Sequence, residues 1–169
     1  LTRLDTAPAA EDVPVDVGAV VERVEHMLSP LARAVEVSLE LKLQPGCVVL
    51  ATEDDLYQIA FNLMENAVKY NLPGGRVLVT LTADGGRVVL RVEDTGVGIP
   101  KADLPKIFDR FYRVDKARSR AAGGTGLGLS IVRDTVLQHG GAVTARRREP
   151  EGTCFEVSFA QWNGEEVGR

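Results

Sequence analysis

From Asp94 to Gly128 the chain carries six glycines and almost no sustained hydrophobic period, although the segments on either side are strongly periodic. Ordering so long an irregular stretch costs conformational entropy, and loops of this kind inside a compact domain are usually kept for a function. The flanking regular elements must therefore supply the core. On the N-terminal side, Val17, Val20, Val21, Val24, Leu28 and Leu31 recur at helical spacing behind Asp16, which is placed to cap the start, and Pro30 is expected to kink or interrupt this helix. Alternation over 35–41 predicts a strand, Pro45-Gly46 a turn, and residues 47–50 a second, short strand. Leu56, Ile59, Ala60, Leu63 and Ala67 mark one face of a helix over 53–70, after which Pro73-Gly74-Gly75 stops the chain. Strands over 77–82 and 88–92, joined by Asp84-Gly85-Gly86, read as a hairpin. Beyond the irregular stretch, Leu127, Ile131, Val132, Thr135 and Val136 restore a helix that ends at Gly140-Gly141, and strands over 142–147 and 153–159 close the domain.

Helices mixed with antiparallel strands define an α+β fold, a two-layer α/β sandwich with a mixed sheet covered on one face by three helices. With 169 residues, 44% of them hydrophobic, one core of ordinary size can be built. Residues 1–14, which hold Pro8 and Pro14, read as a linker or the tail of a preceding element, 15–160 as the domain, and 161–169 as a frayed tail. No apolar run approaches the roughly 18 to 20 residues of a membrane helix. A chain starting on Leu1 reads as a piece of a longer protein, so membrane segments elsewhere stay open. The net charge of -4 argues against a general nucleic-acid binder, which needs clustered Lys and Arg. Cys47 and Cys154 lack metal-site spacing and are expected as buried free thiols.

Four segments carry candidate chemistry. In Asn62-Leu63-Met64-Glu65-Asn66-Ala67-Val68-Lys69-Tyr70 two asparagines occupy a helix interior that disfavours them. At about 100° per residue Asn62, Asn66 and Lys69 share a narrow sector with Tyr70 beside it, which makes either one wall of a pocket or a solvated helix edge. In Asp94-Thr95-Gly96-Val97-Gly98-Ile99-Pro100 an acid ends a strand and glycines permit close approach of another molecule, or simply a tight turn. Gly123-Gly124-Thr125-Gly126-Leu127-Gly128-Leu129-Ser130 precedes a helix start, where free N–H groups and the helix dipole favour an anion; a hinge would look similar. It lacks the GK[ST] of a phosphate-binding P-loop. Between the glycine clusters, residues 107–120 hold five basic residues together with Phe108, Phe111 and Tyr112. This is either a mobile lid whose cations close over phosphates and whose rings anchor it, or a solvated basic loop.

Singly these signals are weak, but their order and spacing together resemble the N, G1, F and G2 boxes of the histidine kinase ATP-binding domain. Gly140-Gly141 and Gly152-Thr153-Cys154-Phe155 resemble that family's last glycine signatures. The resemblance spans about residues 15–160 and implies the Bergerat fold of the gyrase, Hsp90, histidine kinase and MutL superfamily, with ATP and Mg²⁺ as ligands. It implies that Asp94 recognises the adenine amine, Tyr70 stacks on the base, Lys69 approaches phosphate, and Asn66 with Asn62 holds Mg²⁺ through side-chain oxygen. It also implies that Gly96, Gly98, Gly124, Thr125, Gly126, Leu127 and Gly128 shape the nucleotide walls and that Arg113 acts catalytically on the transferring phosphoryl group.

Gyrase-like and Hsp90-like ATPases resemble one another in placing a water-activating Glu one turn before the magnesium-binding Asn. Here that position is Asn62, and Glu65 faces about 100° away from Asn66, which favours transfer over hydrolysis. Neither His26 nor His139 has the context of a phosphorylated histidine. Leu1-Thr2-Arg3-Leu4-Asp5 resembles the end of the dimerisation helix pair, so the resemblance implies an acceptor histidine upstream. It further implies a monomeric fragment of a homodimeric parent, a response regulator as indirect partner, and a cytoplasmic domain of a membrane-held protein. A nucleotide-binding regulatory module without catalysis, or an ATP hydrolase, are the alternatives.

Overall fold

The computed structural model describes residues 11–109 and 128–164. Ahead of Val15, and overlapping the expected linker, stands a strand that the sequence does not announce, β1 (Val13–Asp16), followed directly by α1 (Val17–Ala34). The Asp16 side chain caps α1 as expected, accepting from Gly18 N–H at 3.0 Å. Pro30 lies inside α1 and does not interrupt it. Its missing N–H leaves only the His26 carbonyl without a helical partner, and both residues are exposed, so water can satisfy that carbonyl.

The strand expected over 35–41 starts at Ser38 instead: β2 is Ser38–Leu43. Residues 35–37 serve to close α1. Glu36 takes the left-handed conformation (φ 61), its N–H donating to Arg33 O at 3.2 Å and that of Val37 to Ala32 O at 2.9 Å. These are the paired bonds of a Schellman closure, with Val37 and Ala32 buried beneath it.

β3 (Val48–Ala51) leads into α2 (Glu53–Lys69). Thr52 caps α2, its hydroxyl accepting from Asp55 N–H at 3.1 Å, while Glu53, Asp54 and Asp55 suit the positive end of the dipole and Lys69 the negative end. β4 (Arg76–Asp84) and β5 (Arg87–Asp94) form the hairpin, a short 3₁₀ turn covers Lys101–Lys106, and α3 (Gly128–Gln138), β6 (Ala142–Arg147) and β7 (Thr153–Ala160) complete the chain.

Five strands form a mixed sheet in the order β2-β4-β5-β7-β6, with β2 and β4 parallel and the other pairs antiparallel. β3 does not join it. It pairs with β1 in a separate antiparallel ribbon, Val15 opposite Val49. Period-two alternation sends Val77, Val79 and Leu81 of β4, Val88, Leu90 and Val92 of β5, and Phe155, Val157 and Phe159 of β7 to the buried face beneath the helices. Each such side chain contributes about 1.5 to 3 kcal/mol of burial. α2 lies between α1 and α3 and turns Leu56, Ile59, Ala60, Leu63, Met64, Ala67 and Val68 inward. Polar pairs occupy the open face, among them Arg91–Glu156 at 3.0 Å. Cys47 and Cys154 are free and buried, and burial raises both thiols. Among the described residues no helix is long and apolar enough to cross a membrane.

Candidate functional site

The last turns of α2 and the end of β5 meet at one corner of the sandwich. Asn62, Asn66, Lys69 and Tyr70 are all half-buried along one edge of α2, one to two turns apart. Neither asparagine side chain hydrogen-bonds to another described residue. Two half-buried amides without partners among the described residues are left to water or to an external ligand. Lys69 Nζ stands 3.6 Å from Glu65 Oε2, one turn back, so Glu65 is engaged as an ion-pair partner.

Asp94 terminates β5, paired with Val77 on one side and Thr153 on the other, and is 8% exposed. Its Oδ1 accepts from Gly96 N–H at 2.9 Å, and its carboxyl also receives the Thr153 backbone N–H. Burial pushes the Asp94 carboxyl up to about 6, while those two N–H groups and the charge of Arg148 pull it back.

Glycines make the corner tight. A Cβ at Gly96 would lie 2.7 Å from Tyr70 O and 3.2 Å from Asn71 Cα, so only glycine lets the loop after β5 pass the end of α2. Gly152, at φ +102, would press a Cβ into the Asp94 backbone carbonyl, and Gly98, at φ +80, packs its Cα side against Gly152 O. Thr95 and Asn71 brace the same junction: Thr95 Oγ1 accepts from Arg76 N–H at 2.9 Å and Asn71 Nδ2 donates to Arg76 O at 3.0 Å.

The structure therefore brings Asp94, Gly96, Gly98 and Tyr70 together. Gly128 is exposed at the first position of α3, on the far side of the irregular stretch. Gly124, Thr125, Gly126, Leu127 and Arg113 lie outside the described residues, as do Phe111 and Tyr112. Of the three anchoring rings expected, Phe108 is buried and packs edge-on against Phe155, centroids 6.2 Å apart.

Gly140 and Gly141 do structural work. Gly140 (φ +75) closes α3 by donating to Leu137 O at 3.0 Å, and a Cβ at Gly141 would come within 2.5 Å of Ser158 O. His139 is enclosed between elements, Nε2 2.7 Å from Asp55 Oδ2 and Nδ1 3.5 Å from Asp12 Oδ2; His26 is exposed on α1. Sequence reasoning passed over Asn71, Thr95, Thr153 and Arg148 as individual site residues. Thr95 and Thr153 lie within flagged segments, and Asn71 adjoins one. Arg148 has no local signal, because only strand register brings it near Asp94.

Residues 51–162 match the family described as histidine kinase-, DNA gyrase B-, and HSP90-like ATPase, and the chain belongs to that family. More particularly, it is similar to sensor histidine kinases. The sensor-like histidine kinase SenX3 of Mycolicibacterium smegmatis is 36% identical over 163 residues, which cover 96% of this chain and 42% of that protein. The sensor histidine kinase WalK of Bacillus subtilis is 47% identical over 109 residues, 63% of this chain and 18% of its own length. The chain thus spans less than half of these relatives. Among solved structures, the mycobacterial sensor histidine kinase MprB superposes with a TM-score of 0.75 at 32% identity, covering 89% of this chain and 97% of that one. Full-length ShkA in complex with AMPPNP superposes with a TM-score of 0.78 at 33% identity, covering 94% of this chain and 33% of that one.

Proposed function

We propose that this chain binds Mg-ATP and transfers its γ-phosphoryl group to a histidine on the dimerisation domain of the same kinase, within two-component signalling. The observation that carries the reading is the Asp94 corner: a buried carboxyl at a backbone junction stripped of Cβ atoms, beside a helix edge bearing two amides without partners among the described residues. The ionised carboxyl accepts a hydrogen bond from the exocyclic amine of adenine, for which guanine offers a carbonyl instead. Tyr70 stacks on the base, and Gly96 and Gly98 let the backbone lie close to it. The complex of ShkA with AMPPNP supports an adenine nucleotide as ligand.

The amide oxygens of Asn62 and Asn66 are hard, neutral donors that fit Mg²⁺, and among the described residues no cluster of three or more His, Cys, Asp or Glu side chains could hold a metal. The negative charge that balances the ion would come from the phosphates. When bound, Mg²⁺ neutralises charge on the β- and γ-oxygens. Lys69 then approaches phosphate, Gly124, Thr125, Gly126, Leu127 and Gly128 wall the nucleotide, and Arg113 stabilises charge spread over the equatorial oxygens as the bond to the β-phosphate oxygen breaks and a bond to the acceptor nitrogen forms. Near Asn66 no water-activating base stands on α2: one turn back Asn62 has no basic group, and Glu65 is paired with Lys69.

The acceptor histidine lies on a segment preceding this chain, in a homodimeric kinase held at the membrane with this domain in the cytoplasm and a response regulator taking the phosphoryl group onward. Incubating this domain, as a monomer, with γ-labelled ATP, magnesium and a separately supplied dimerisation domain tests the reading. Label on the acceptor with little free phosphate supports transfer. Free phosphate without transfer would instead mark a hydrolase, and binding with neither product a regulatory module.

A further inference from the structure

The β4–β5 ladder pairs Val77 with Asp94, which sets Arg76 opposite Thr95 at its end. Thr95 N–H donates to Arg76 O at 3.1 Å, so this is a position where an antiparallel pair ordinarily exchanges two main-chain bonds. The second bond is not to main chain. Arg76 N–H donates instead to the Thr95 side-chain hydroxyl, at 2.9 Å. The hydroxyl stands in for the carbonyl of a continuing strand, so the last N–H of the ladder stays satisfied while the backbone turns out of the sheet. That turn falls one residue after Asp94.

Asn71, the residue after the α2 cap Tyr70, holds the same backbone from the helix side. Its Nδ2 donates to Arg76 O at 3.0 Å, and its Oδ1 accepts from Leu72 N–H at 2.8 Å. A Cβ at Gly75 would strike this amide, and one at Gly96 would strike Tyr70 O, so neither chain has room to shift toward the other. The backbone of Arg76 is therefore a post to which the end of α2 and the end of β5 are both tied. Beyond the Thr95 tie, Gly96 N–H donates to Asp94 Oδ1 at 2.9 Å and so fixes how that carboxyl is turned. Tyr70 and Asp94 each lie one residue from a tie. Without the hydroxyl, the nearest substitute acceptor for Arg76 N–H is the main-chain carbonyl of residue 95. Using it would prolong β5 by a residue and draw Gly96 away from the end of α2.

Resting on the reading of Asp94 as the adenine acceptor, we propose that Thr95 is a positioning residue for base recognition: its hydroxyl ends β5 at Asp94 and, with Asn71 on the shared Arg76 backbone, sets the spacing between that carboxyl and Tyr70.

The test is calorimetric titration of ATP and GTP into the wild-type domain, Thr95→Val and Thr95→Ser, with the melting temperature of each recorded. Valine keeps the shape of threonine, lacks the acceptor and favours a continuing strand. Thr95→Val is expected to weaken ATP binding by about 5- to 10-fold, the scale of one misaligned hydrogen bond, and to narrow the preference for ATP over GTP. Thr95→Ser keeps the hydroxyl and should keep both the affinity and the preference of wild type. If Thr95→Val does not fold, Asn71→Ala, which releases the helix side of the same post, replaces it with the same expectation. A Thr95→Val domain that melts lower but keeps the wild-type ratio of ATP to GTP affinity overturns the proposal, since the tie would then serve stability alone. An equal loss in the Val and Ser variants overturns it too, because the methyl group and not the hydroxyl would be responsible. A wild-type domain with no preference for ATP over GTP, together with unchanged binding in Asp94→Ala, would instead bring down the adenine reading itself.

Discussion

Acidifying the domain from about pH 7.5 to about pH 5 should protonate Asp94 well before an ordinary aspartate, because burial holds its carboxyl at about 6 instead of 3.8. If the adenine amine is accepted by the ionised form, the apparent dissociation constant grows with the protonated fraction, reaching about 10-fold at one pH unit below the midpoint. A neutral carboxyl still accepts a weaker bond, and the difference of about 1 kcal/mol between charged and neutral hydrogen bonds limits the change to roughly 5- to 10-fold. ATP itself takes up protons in this range, so the informative quantity is the ratio between wild type and Asp94→Asn, measured by calorimetry at each pH. The ratio should shrink as pH falls. The unliganded fold responds too. Its native state keeps a proton that the unfolded chain has released, so between about pH 4 and pH 6 stability due to this residue falls as pH rises, by up to about 3 kcal/mol, and stays lost above that window. Parallel affinity profiles for wild type and Asp94→Asn would refute the assignment of the adenine contact to Asp94.

Replacing Asn66 with Ala should leave the melting temperature unchanged or higher, since Ala is the better helix former by about 0.5 kcal/mol, while magnesium-dependent ATP affinity falls strongly; unfolding of the variant would show the residue to be structural. Arg113→Ala in the reconstituted kinase should bind ATP within a few-fold of wild type but phosphorylate the acceptor at least about 10-fold more slowly, checked by single-turnover transfer; loss of affinity in proportion to rate would refute a role confined to the transition state. Glu36→Gly should raise stability by about 0.5 to 1 kcal/mol in denaturant titration, because the left-handed closure of α1 carries a side chain at φ 61. Gly152→Ala should cost at least about 2 kcal/mol and ATP binding with it, the new Cβ meeting the Asp94 carbonyl at a backbone angle of φ +102.

Helices, hairpin and closing strands were legible because each carries its own period: α2 shows its buried face at spacings of three and four, β5 alternates along its whole length, β4 does so through Thr82, and β7 does so from Phe155 onward. Asp94, Gly96 and the paired asparagines stood out as candidates for the opposite reason, since each breaks a local preference. What the linear chain could not show depends on partners distant in sequence. β1 is too short to announce itself and exists through its pairing with β3, and β3 leaves the main sheet for the same reason. The alternation over 35–37 resembles a strand, yet closing α1 satisfies carbonyls that a strand would leave open. Gly152 reaches Asp94, and Arg148 reaches Glu93, only because β5 and β7 pair with Asp94 opposite Thr153, a register set by which faces bury their side chains. Local sequence thus determined most of the elements and the residue types of the candidate site, and tertiary pairing decided which of them touch, because contacts between strands depend on register, which local sequence preference leaves open.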